Sequence, residues 1–206
     1  MNVENLPGAV VNVGLFWMLL TPHEYAHAWM ADRLGDDTPR REGRLTLNPL
    51  AHADWLGTVI LPAVTSLMGG GFLGWGKPVP TSPAQLRGGW NGLAAVAVAG
   101  PVSNVIFAAL LAAAAAAVAG KAPAVAELAV QGVMLSLYLA LFNLLPVPPL
   151  DGSKLLLALR LPVAVYEGLA RHGFLALIVA FALTPLGRWL SRLTWNGTVW
   201  LLRLFG

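Results

Sequence analysis

The chain has 206 residues, of which 57% are hydrophobic and only 11% are charged. A soluble domain carries about a quarter charged residues, so a composition this apolar excludes an ordinary water-soluble fold. Several apolar stretches reach the roughly 18 to 20 residues that are needed to cross about 30 Å of hydrocarbon. The composition therefore predicts an all-α polytopic membrane protein.

Cysteine is absent from the chain. This excludes disulfides, a thiol nucleophile and a thiolate metal ligand, so that any metal must be held by His, Asp or Glu. The net charge is +3, and many of the arginines lie in loops beside apolar stretches. That arrangement indicates membrane topology. We therefore expect the lipid bilayer, and no nucleic acid, as a partner.

The first predicted element is a membrane helix over residues 8–34. The preceding residues lack the basic region of a signal peptide, and the apolar run continues into polar residues instead of a small-residue cleavage site. We therefore expect a helix that is not cleaved. Pro22 removes one helical hydrogen bond, which predicts a kink.

The next hundred residues begin with a polar, basic connection over 33–54. Within it, residues 44–47 alternate between polar and apolar as a short strand does. Residues 55–73 are apolar, short and end in a glycine triplet, which favours a re-entrant or short membrane segment. Residues 74–89 are rich in proline and glycine and predict a loop or a small extended hairpin near the interface.

The remainder of the chain predicts further helices. Residues 92–119, 127–145 and 163–183 have the length and apolarity of full membrane helices. A PVPPLDG sequence breaks the pattern after 145, and a short helix follows it. The tail interleaves tryptophan with arginine, as amphipathic helices at a membrane interface do. The prediction is one domain over residues 1–206, with about four full transmembrane helices, the re-entrant or short segment, the hairpin and a C-terminal amphipathic helix.

The strongest chemical signal is His-Glu-Tyr-Ala-His at residues 23–27. On a helix, positions i and i+4 lie about 5–6 Å apart on one face, so both imidazoles can reach one metal ion. The glutamate beside the first histidine is then placed to act as a general base toward water. Two imidazoles and a carboxylate in an apolar span cost several kcal/mol unless metal, water or one another satisfies them. The motif therefore predicts a metal site.

A catalytic zinc ion takes three protein ligands and keeps one open position, so a third ligand is needed. Asp151 is one candidate, because prolines unwind the chain before it and irregular backbone within a membrane lies around a buried or watered cavity. An Asp-Gly turn at the interface is the other interpretation of Asp151. His52, in a polar loop, is a competing candidate. Glu167 and His172 remain as further candidates, although an interfacial salt bridge from Glu167 to Arg171 also explains their positions.

The chain resembles the site-2 protease family of intramembrane zinc metalloproteases. Three blocks carry this resemblance, namely HEYAH (23–27), GPVSN (100–104) and FNLLPVPPLDG (142–152). The sequences GRLTLNPLAHAD (43–54) and GWGKPVP (74–80) are similar to the compact branch that has no PDZ domain. Together these blocks and their surroundings extend over about three quarters of the chain.

The resemblance implies roles for particular residues. It implies that one zinc ion per chain is bound by His23, His27 and Asp151, and that Glu24 is the catalytic acid and base. Asn143 and Asn104 match two polar positions beside the family's active site.

Both asparagines are therefore candidate substrate-binding residues. Contacts between membrane helices are the alternative for each. One departure from the family pattern is Lys154, which stands where many relatives have arginine.

The topology follows from where the ligands must meet. If residues 55–73 are re-entrant, the motif in the first helix and Asp151 approach from the same side of the membrane. Nine basic residues then share that side: Arg33, Arg40, Arg41, Arg44, Lys77, Arg87, Lys154, Arg160 and Arg171. Four lie on the other: Lys121, Arg188, Arg192 and Arg203. The positive-inside rule then predicts a cytoplasm-facing active site and an external N-terminus. The compactness of the chain favours a prokaryotic cytoplasmic membrane.

The predicted function is zinc metalloendopeptidase activity on transmembrane protein substrates, of the kind found in regulated intramembrane proteolysis. The alternative is a zinc-binding membrane scaffold without catalytic activity. Glu24 speaks against the scaffold, because a structural metal site closes its coordination shell and needs no base.

Overall fold

The computed structural model describes residues 6–67 and 74–206, and all regular secondary structure in these ranges is helical. This confirms the predicted all-α fold. The helices are α1 (Leu6–Arg33), α2 (Thr38–Arg41), α3 (Leu61–Leu67), α4 (Trp90–Val118), α5 (Pro123–Asn143), α6 (Lys154–Ala158), α7 (Val163–Leu183) and α8 (Leu186–Phe205). Three shorter turns complete the list: a 3₁₀ turn at Pro49–His52, a π-helical turn at Trp55–Ile60 and a 3₁₀ turn at Asp151–Ser153.

Within the described ranges, α4, α5 and α7 are long and apolar enough to cross a membrane. Their 29, 21 and 21 residues correspond to roughly 44, 32 and 32 Å at 1.5 Å per residue. Helix α1 has 28 residues, but polar side chains interrupt its second half. The composition and these three helices together make the chain a membrane protein.

The local sequence explains where several helices begin and end. Gly35 follows α1 with a φ of +100°, the left-handed conformation in which glycine commonly terminates a helix. Pro123 occupies the start of α5, where its missing N–H costs nothing. The start of this helix therefore lies four residues before the predicted one. Helix α1 continues without interruption through Pro22.

The apolar segment after residue 54 is short in the described range. Asp54 begins it, accepting a hydrogen bond from the Gly57 N–H at 2.9 Å. The helical residues run from Trp55 to Leu67, which is about 20 Å and well short of the bilayer core. The glycine triplet at 69–71, where the segment was predicted to end, lies outside the described residues.

The predicted hairpin near the interface is not confirmed, because the described residues contain no β-strand. The segment 74–80 is instead irregular and runs beside the residues around the π-helical turn. The Trp75 N–H donates to the Gly57 carbonyl at 3.0 Å, and the Lys77 N–H donates to the His52 carbonyl at 2.9 Å. We call residues 74–80 the crossing segment.

The buried core lies between α1, α4, α5 and α8. Two clusters hold these helices together, and small residues on α4 allow close approach. The first cluster consists of Phe16, Leu19, Leu20 and Leu139. The second consists of Ala108, Ala112, Val133 and Leu201. Helix α1 therefore lies against both α4 and α5, which fixes the position of its histidine motif.

Helix α8 has the predicted amphipathic character and packs lengthwise against the bundle. Its buried face carries Leu190, Thr194, Thr198 and Leu201. Arg192 is exposed on the other face. This packing along α4 and α5 closes one side of the space beside α1.

Candidate active site

Helix α1 brings the two motif histidines together at the centre of the fold. The ring centroids of His23 and His27 lie 4.7 Å apart, and their Nε2 atoms are 3.1 Å apart. Both side chains are buried, as is Glu24 between them in sequence. The i, i+4 spacing on one continuous helix accounts for this pairing.

Asp151 reaches the same point from a part of the chain 128 residues away from His23. After α5 ends, the PVPPLDG residues turn back, and Asp151 begins a short 3₁₀ turn. Its Oδ2 lies 3.2 Å from the His23 Nε2 and 3.0 Å from the His27 Nε2. The three buried side chains form a group that can hold a metal ion.

The hydrogen bonds of the two Nδ1 atoms indicate that the Nε2 atoms of both rings direct their lone pairs toward one point. His27 Nδ1 lies 2.7 Å from the Val96 carbonyl oxygen, which can only accept, so Nδ1 carries the proton. His23 Nδ1 lies 2.8 Å from the Asn104 Oδ1 and has the same donor role. In a neutral ring, each Nε2 is then an acceptor. Two such nitrogens and a carboxylate oxygen, all about 3 Å apart, offer a cation three donor atoms.

The donor separations fit a tetrahedral zinc ion. Zinc–nitrogen and zinc–oxygen bonds of about 2.0–2.1 Å place two ligands of a tetrahedron roughly 3.3–3.4 Å apart. The three observed separations are 3.0, 3.1 and 3.2 Å. A small expansion therefore accommodates the ion, and the donor set of two imidazoles and one carboxylate is one that catalytic zinc uses.

Lys154 holds the other carboxylate oxygen of Asp151. Its Nζ donates to Asp151 Oδ1 at 2.9 Å, and the two residues are three apart at the start of α6. This contact turns Oδ2 toward the histidines. Partners of this kind orient metal ligands, as Val96 and Asn104 do for the rings.

Gly100 provides the space for both imidazoles. A Cβ at this position on α4 would lie 2.4 Å from the His27 Nε2 and 2.7 Å from the His23 Cε1. No side chain therefore fits there while the rings keep their positions. The glycine lets α4 approach α1 closely enough for Val96 and Asn104 to reach the rings.

Glu24 projects toward the crossing segment. A Cβ on Gly76 would lie 3.0 Å from the Glu24 Oε1, so the backbone of Gly76 passes directly beside this carboxylate. No described residue donates a hydrogen bond to the Glu24 carboxylate, which leaves its oxygens available to water. Glu24 follows His23 on α1 and lines the same cavity as the metal-binding group.

A cavity of about 1820 Å³ adjoins the group. It is lined by Glu24, His23, His27 and Asp151, and by apolar side chains of α5 and α7. Sites for small molecules usually measure about 300–1,000 Å³. This cavity is larger, and its size suits a segment of polypeptide.

The two predicted substrate-binding asparagines occupy different places. Asn104 is 1% exposed and contacts His23, so the structure places it as a partner of the ring. Its Nδ2 is buried and has no partner among the described residues. Asn143 is half-buried, lines the cavity and donates from Nδ2 to the Leu139 carbonyl at 3.0 Å. A role in substrate binding stays a prediction for both.

The other candidate ligands lie elsewhere. His52 is fully buried, and its Nε2 contacts the Thr46 carbonyl at 2.8 Å, so it is not part of the His23 group. Glu167 and His172 are exposed on α7. The predicted salt bridge from Glu167 to Arg171 is not among the ion pairs of the described residues, although both side chains are exposed on α7.

Three supporting positions were not found by sequence reasoning. The Val96 carbonyl belongs to the backbone and leaves no mark in the sequence. Gly100 and Lys154 did leave a signal: a glycine opposite the motif, and a cation three residues after Asp151. Neither signal has meaning until the partner helix is known.

Two curated relatives match most of the chain. The protein named "Putative zinc metalloprotease YwhC" from Bacillus subtilis is 36% identical over 178 residues, which cover 81% of this chain and 77% of the relative. The chain belongs to the site-2 protease family. The protein named "Putative zinc metalloprotease Rip2" from Mycolicibacterium smegmatis is 33% identical over 195 residues, 91% of this chain and 73% of the relative. No family model matches the chain. No solved structure matches it either.

Membership of the site-2 protease family and the geometry of the site agree. The names of the relatives concern zinc and proteolysis, and the buried group of this chain offers a donor set and spacing suited to zinc. A carboxylate and a large cavity adjoin that group. These features supply what metal-assisted hydrolysis of a peptide bond needs.

Proposed function

We propose that this chain is an intramembrane zinc metalloprotease that hydrolyses peptide bonds of membrane-spanning substrates. The convergence of His23, His27 and Asp151, with Glu24 beside them at a large cavity, is the observation that carries the proposal. The family relationship supports the reaction class. The apolar helices that surround the site support its location within the bilayer.

Each residue has a chemical task in this proposal. His23, His27 and Asp151 hold one zinc ion per chain, which supplies a Lewis acid that lowers the pKa of water toward about 7. Glu24 takes a proton from the attacking water and later delivers it to the leaving amine. Lys154, Asn104 and the Val96 carbonyl keep the three ligands in their productive orientation.

The substrate backbone must be extended to expose its peptide bond. The neighbouring Trp75 and Lys77 are paired with residues around the π-helical turn, whereas the Gly76 N–H and carbonyl have no partner among the described residues. These two groups are available to pair with an extended peptide by strand addition. Asn143, which lines the same cavity, is placed to contribute a further hydrogen bond to the substrate.

We propose a membrane arrangement with four spans. Helix α1 joins α4, α5 and α7 as the fourth, and the apolar residues 55–67 enter the membrane without crossing it. In a prokaryotic cytoplasmic membrane, a cytoplasmic position of the basic loops would turn the active site toward the cytoplasm and leave the N-terminus outside. The cysteine-free chain permits a direct test, in which single cysteines are introduced and probed with a reagent that cannot cross the membrane.

A zinc-binding scaffold without catalytic activity is the second candidate. The buried donor set alone is compatible with it. Glu24 argues against it, because a carboxylate beside the metal-binding group and open to a cavity serves no structural purpose in the described fold.

The decisive experiment compares cleavage by the native protein and by Glu24→Gln. Both proteins are purified in nanodiscs with a set of single-span substrates, and zinc content is measured by elemental analysis. We expect Glu24→Gln to lose cleavage by a factor of about 10²–10⁴ or more while it retains zinc near one per chain, because amide and carboxylate have the same shape and only the base is lost. A chelator should abolish native activity, and added zinc should restore it.

Glu127→Gln is the matched control, because Glu127 is exposed on α5 and does not line the cavity. It should cleave at the native rate. Native activity in the Glu24→Gln protein would rule out the mechanism. Zinc binding without any cleavage by the native protein would favour the scaffold.

A further inference from the structure

Arg44 is a buried cation with an unusual set of partners. The residue is 4% exposed, and no carboxylate lies within ion-pairing distance of it among the described residues. Its Nη1 donates to the Pro78 carbonyl at 2.9 Å, and its Nη2 donates to the Lys77 carbonyl. Burying a guanidinium is costly unless it is well hydrogen-bonded, so this position suggests a specific purpose.

His52 completes the arrangement from the other side. Its Nε2 must donate to the Thr46 carbonyl, because that oxygen can only accept. The Nδ1 is then an acceptor and lies 3.4 Å from the Arg44 Nη2. Burial lowers the pKa of His52, the hydrogen bond to Thr46 opposes this, and the charge of Arg44 lowers it further. A neutral His52 is the form that this contact with a guanidinium requires.

These bonds act on the residues next to Gly76. The Lys77 N–H is held by the His52 carbonyl, and its own carbonyl is held by Arg44. On the other side, Trp75 donates from its N–H to the Gly57 carbonyl and accepts from Thr58 at its own. Gly76 is therefore fixed on both flanks, while its own backbone groups have no hydrogen-bond partner within residues 6–67 and 74–206 and lie beside Glu24.

We infer that Arg44 is a positioning residue, which with His52 clamps the crossing segment so that Gly76 lies in register with Glu24. This inference rests on the proposed protease function. In the clamp, one planar guanidinium binds two successive carbonyls, and the substrate strand takes its register from the backbone that those carbonyls fix. Arg44 has no hydrogen bond to the metal-binding group among the described residues, and it reaches the cavity lining through the Pro78 carbonyl. Its hydrogen bonds act on the crossing segment, and its charge also interacts with Glu24.

The geometry requires arginine at this position. Two different nitrogens of the guanidinium donate to the carbonyls of Lys77 and Pro78. The single ammonium of lysine reproduces this pattern poorly. Arg44→Lys keeps the charge and most of the stem, and Arg44→Gln removes the charge. A clamp therefore predicts that both variants are impaired, with Arg44→Lys less so.

The first measurement is the position of cleavage. Product mass spectrometry on a single-span substrate should show one main scissile bond for the native protein. We expect Arg44→Gln to lower kcat/KM at least 10-fold and to spread cleavage over neighbouring bonds, with zinc content unchanged. A residue that only stabilises the fold would reduce the yield without moving the cut. Arg41→Gln is the matched control, because Arg41 is an exposed arginine of the same loop region, paired with Asp37.

The second measurement does not depend on activity. The chain contains no cysteine, so Lys77→Cys, at an exposed side chain, accepts a single nitroxide label. Its spectrum should show greater mobility with Arg44→Gln than with native Arg44, and no change with Arg41→Gln. If the native protein cleaves nothing but the label is mobilised, the proposed function fails and the clamp stands.

Three results would overturn the inference. The first is native cleavage, in rate and position, by Arg44→Gln. The second is a label whose mobility is the same with and without the guanidinium. The third is loss of zinc or of the folded state in both Arg44→Gln and Arg44→Lys, which would make Arg44 a residue of the fold alone.

Discussion

Gly100→Ala adds one methyl group at the point where α4 meets both imidazoles. The new Cβ would lie 2.4 Å from the His27 Nε2 and 2.7 Å from the His23 Cε1, whereas ordinary contact begins at 3.4 Å. The nearer ring must therefore retreat by 3.4 − 2.4 = 1.0 Å, or α4 must move away by a similar amount. Metal–ligand distances tolerate only about 0.2 Å.

The helix propensity of alanine has the opposite effect, because it favours a more stable α4. Alanine in a helix interior is favoured over glycine by about 0.8–1.0 kcal/mol, so the substitution by itself should stabilise α4. We expect zinc affinity to fall about 100-fold, which is the upper end of what changes next to metal ligands cost. Unchanged helix content together with a lower zinc affinity would identify this contact as the cause.

Zinc affinity can be measured by competition with a chromogenic chelator, and helix content by circular dichroism. Gly14→Ala is the control, because a Cβ at this position on α1 meets nothing within 4 Å. It should bind zinc as the native protein does. If Gly100→Ala binds zinc within about threefold of the native protein, the α1–α4 packing described above is wrong.

Three further predictions follow from the same contacts. Asn104→Ala removes the acceptor for the His23 Nδ1–H, so the zinc dissociation constant should rise about 10- to 100-fold. An unchanged dissociation constant in the same competition assay would contradict the role of Asn104 as the partner of the His23 ring. Gly76→Val places carbon atoms against Glu24 Oε1 and Leu20, so cleavage should be lost while zinc content stays native, and normal cleavage would show that the crossing segment is not beside the base. Burial lowers the folded-state pKa of His52 from 6.5. Below about pH 6.5 the unfolded chain therefore binds the proton more readily than the folded chain, and the stability of the fold should fall as the pH falls. Thermal midpoints from pH 5 to 8 should show this fall, and His52→Gln should reduce it.

Much of the fold could be predicted because its signals are local. The length of an apolar run indicates a span, and the i, i+4 spacing of His23 and His27 indicates one face of one helix. The limits of α5 and the hairpin were less predictable. Pro123 is a local signal for the start of α5 that the prediction did not use. The segment 74–80, by contrast, depends on hydrogen-bond partners that lie far away in the sequence.

The candidate site also contains residues that the sequence could predict and residues that it could not. The histidine pair belongs to a single helical turn, so the residue order was enough to predict it. Asp151, by contrast, was one of several candidates by spacing, and the resemblance to a family selected it. The structure brings its Oδ2 to within 3.2 Å of both Nε2 atoms, across a separation of 124 residues from the nearer end of the motif.

By itself the sequence determined the class of the molecule, the helical character of its spans and the presence of one metal-binding motif, because each depends on composition or on neighbours within one turn. Tertiary structure alone decided which oxygen completes the donor set, that Val96, Gly100 and Lys154 support it, and that Arg44 reaches the crossing segment. The physical reason is that these contacts join separate helices and loops. Their geometry exists only once α1 packs against α4 and α5 and the chain after α5 turns back toward it.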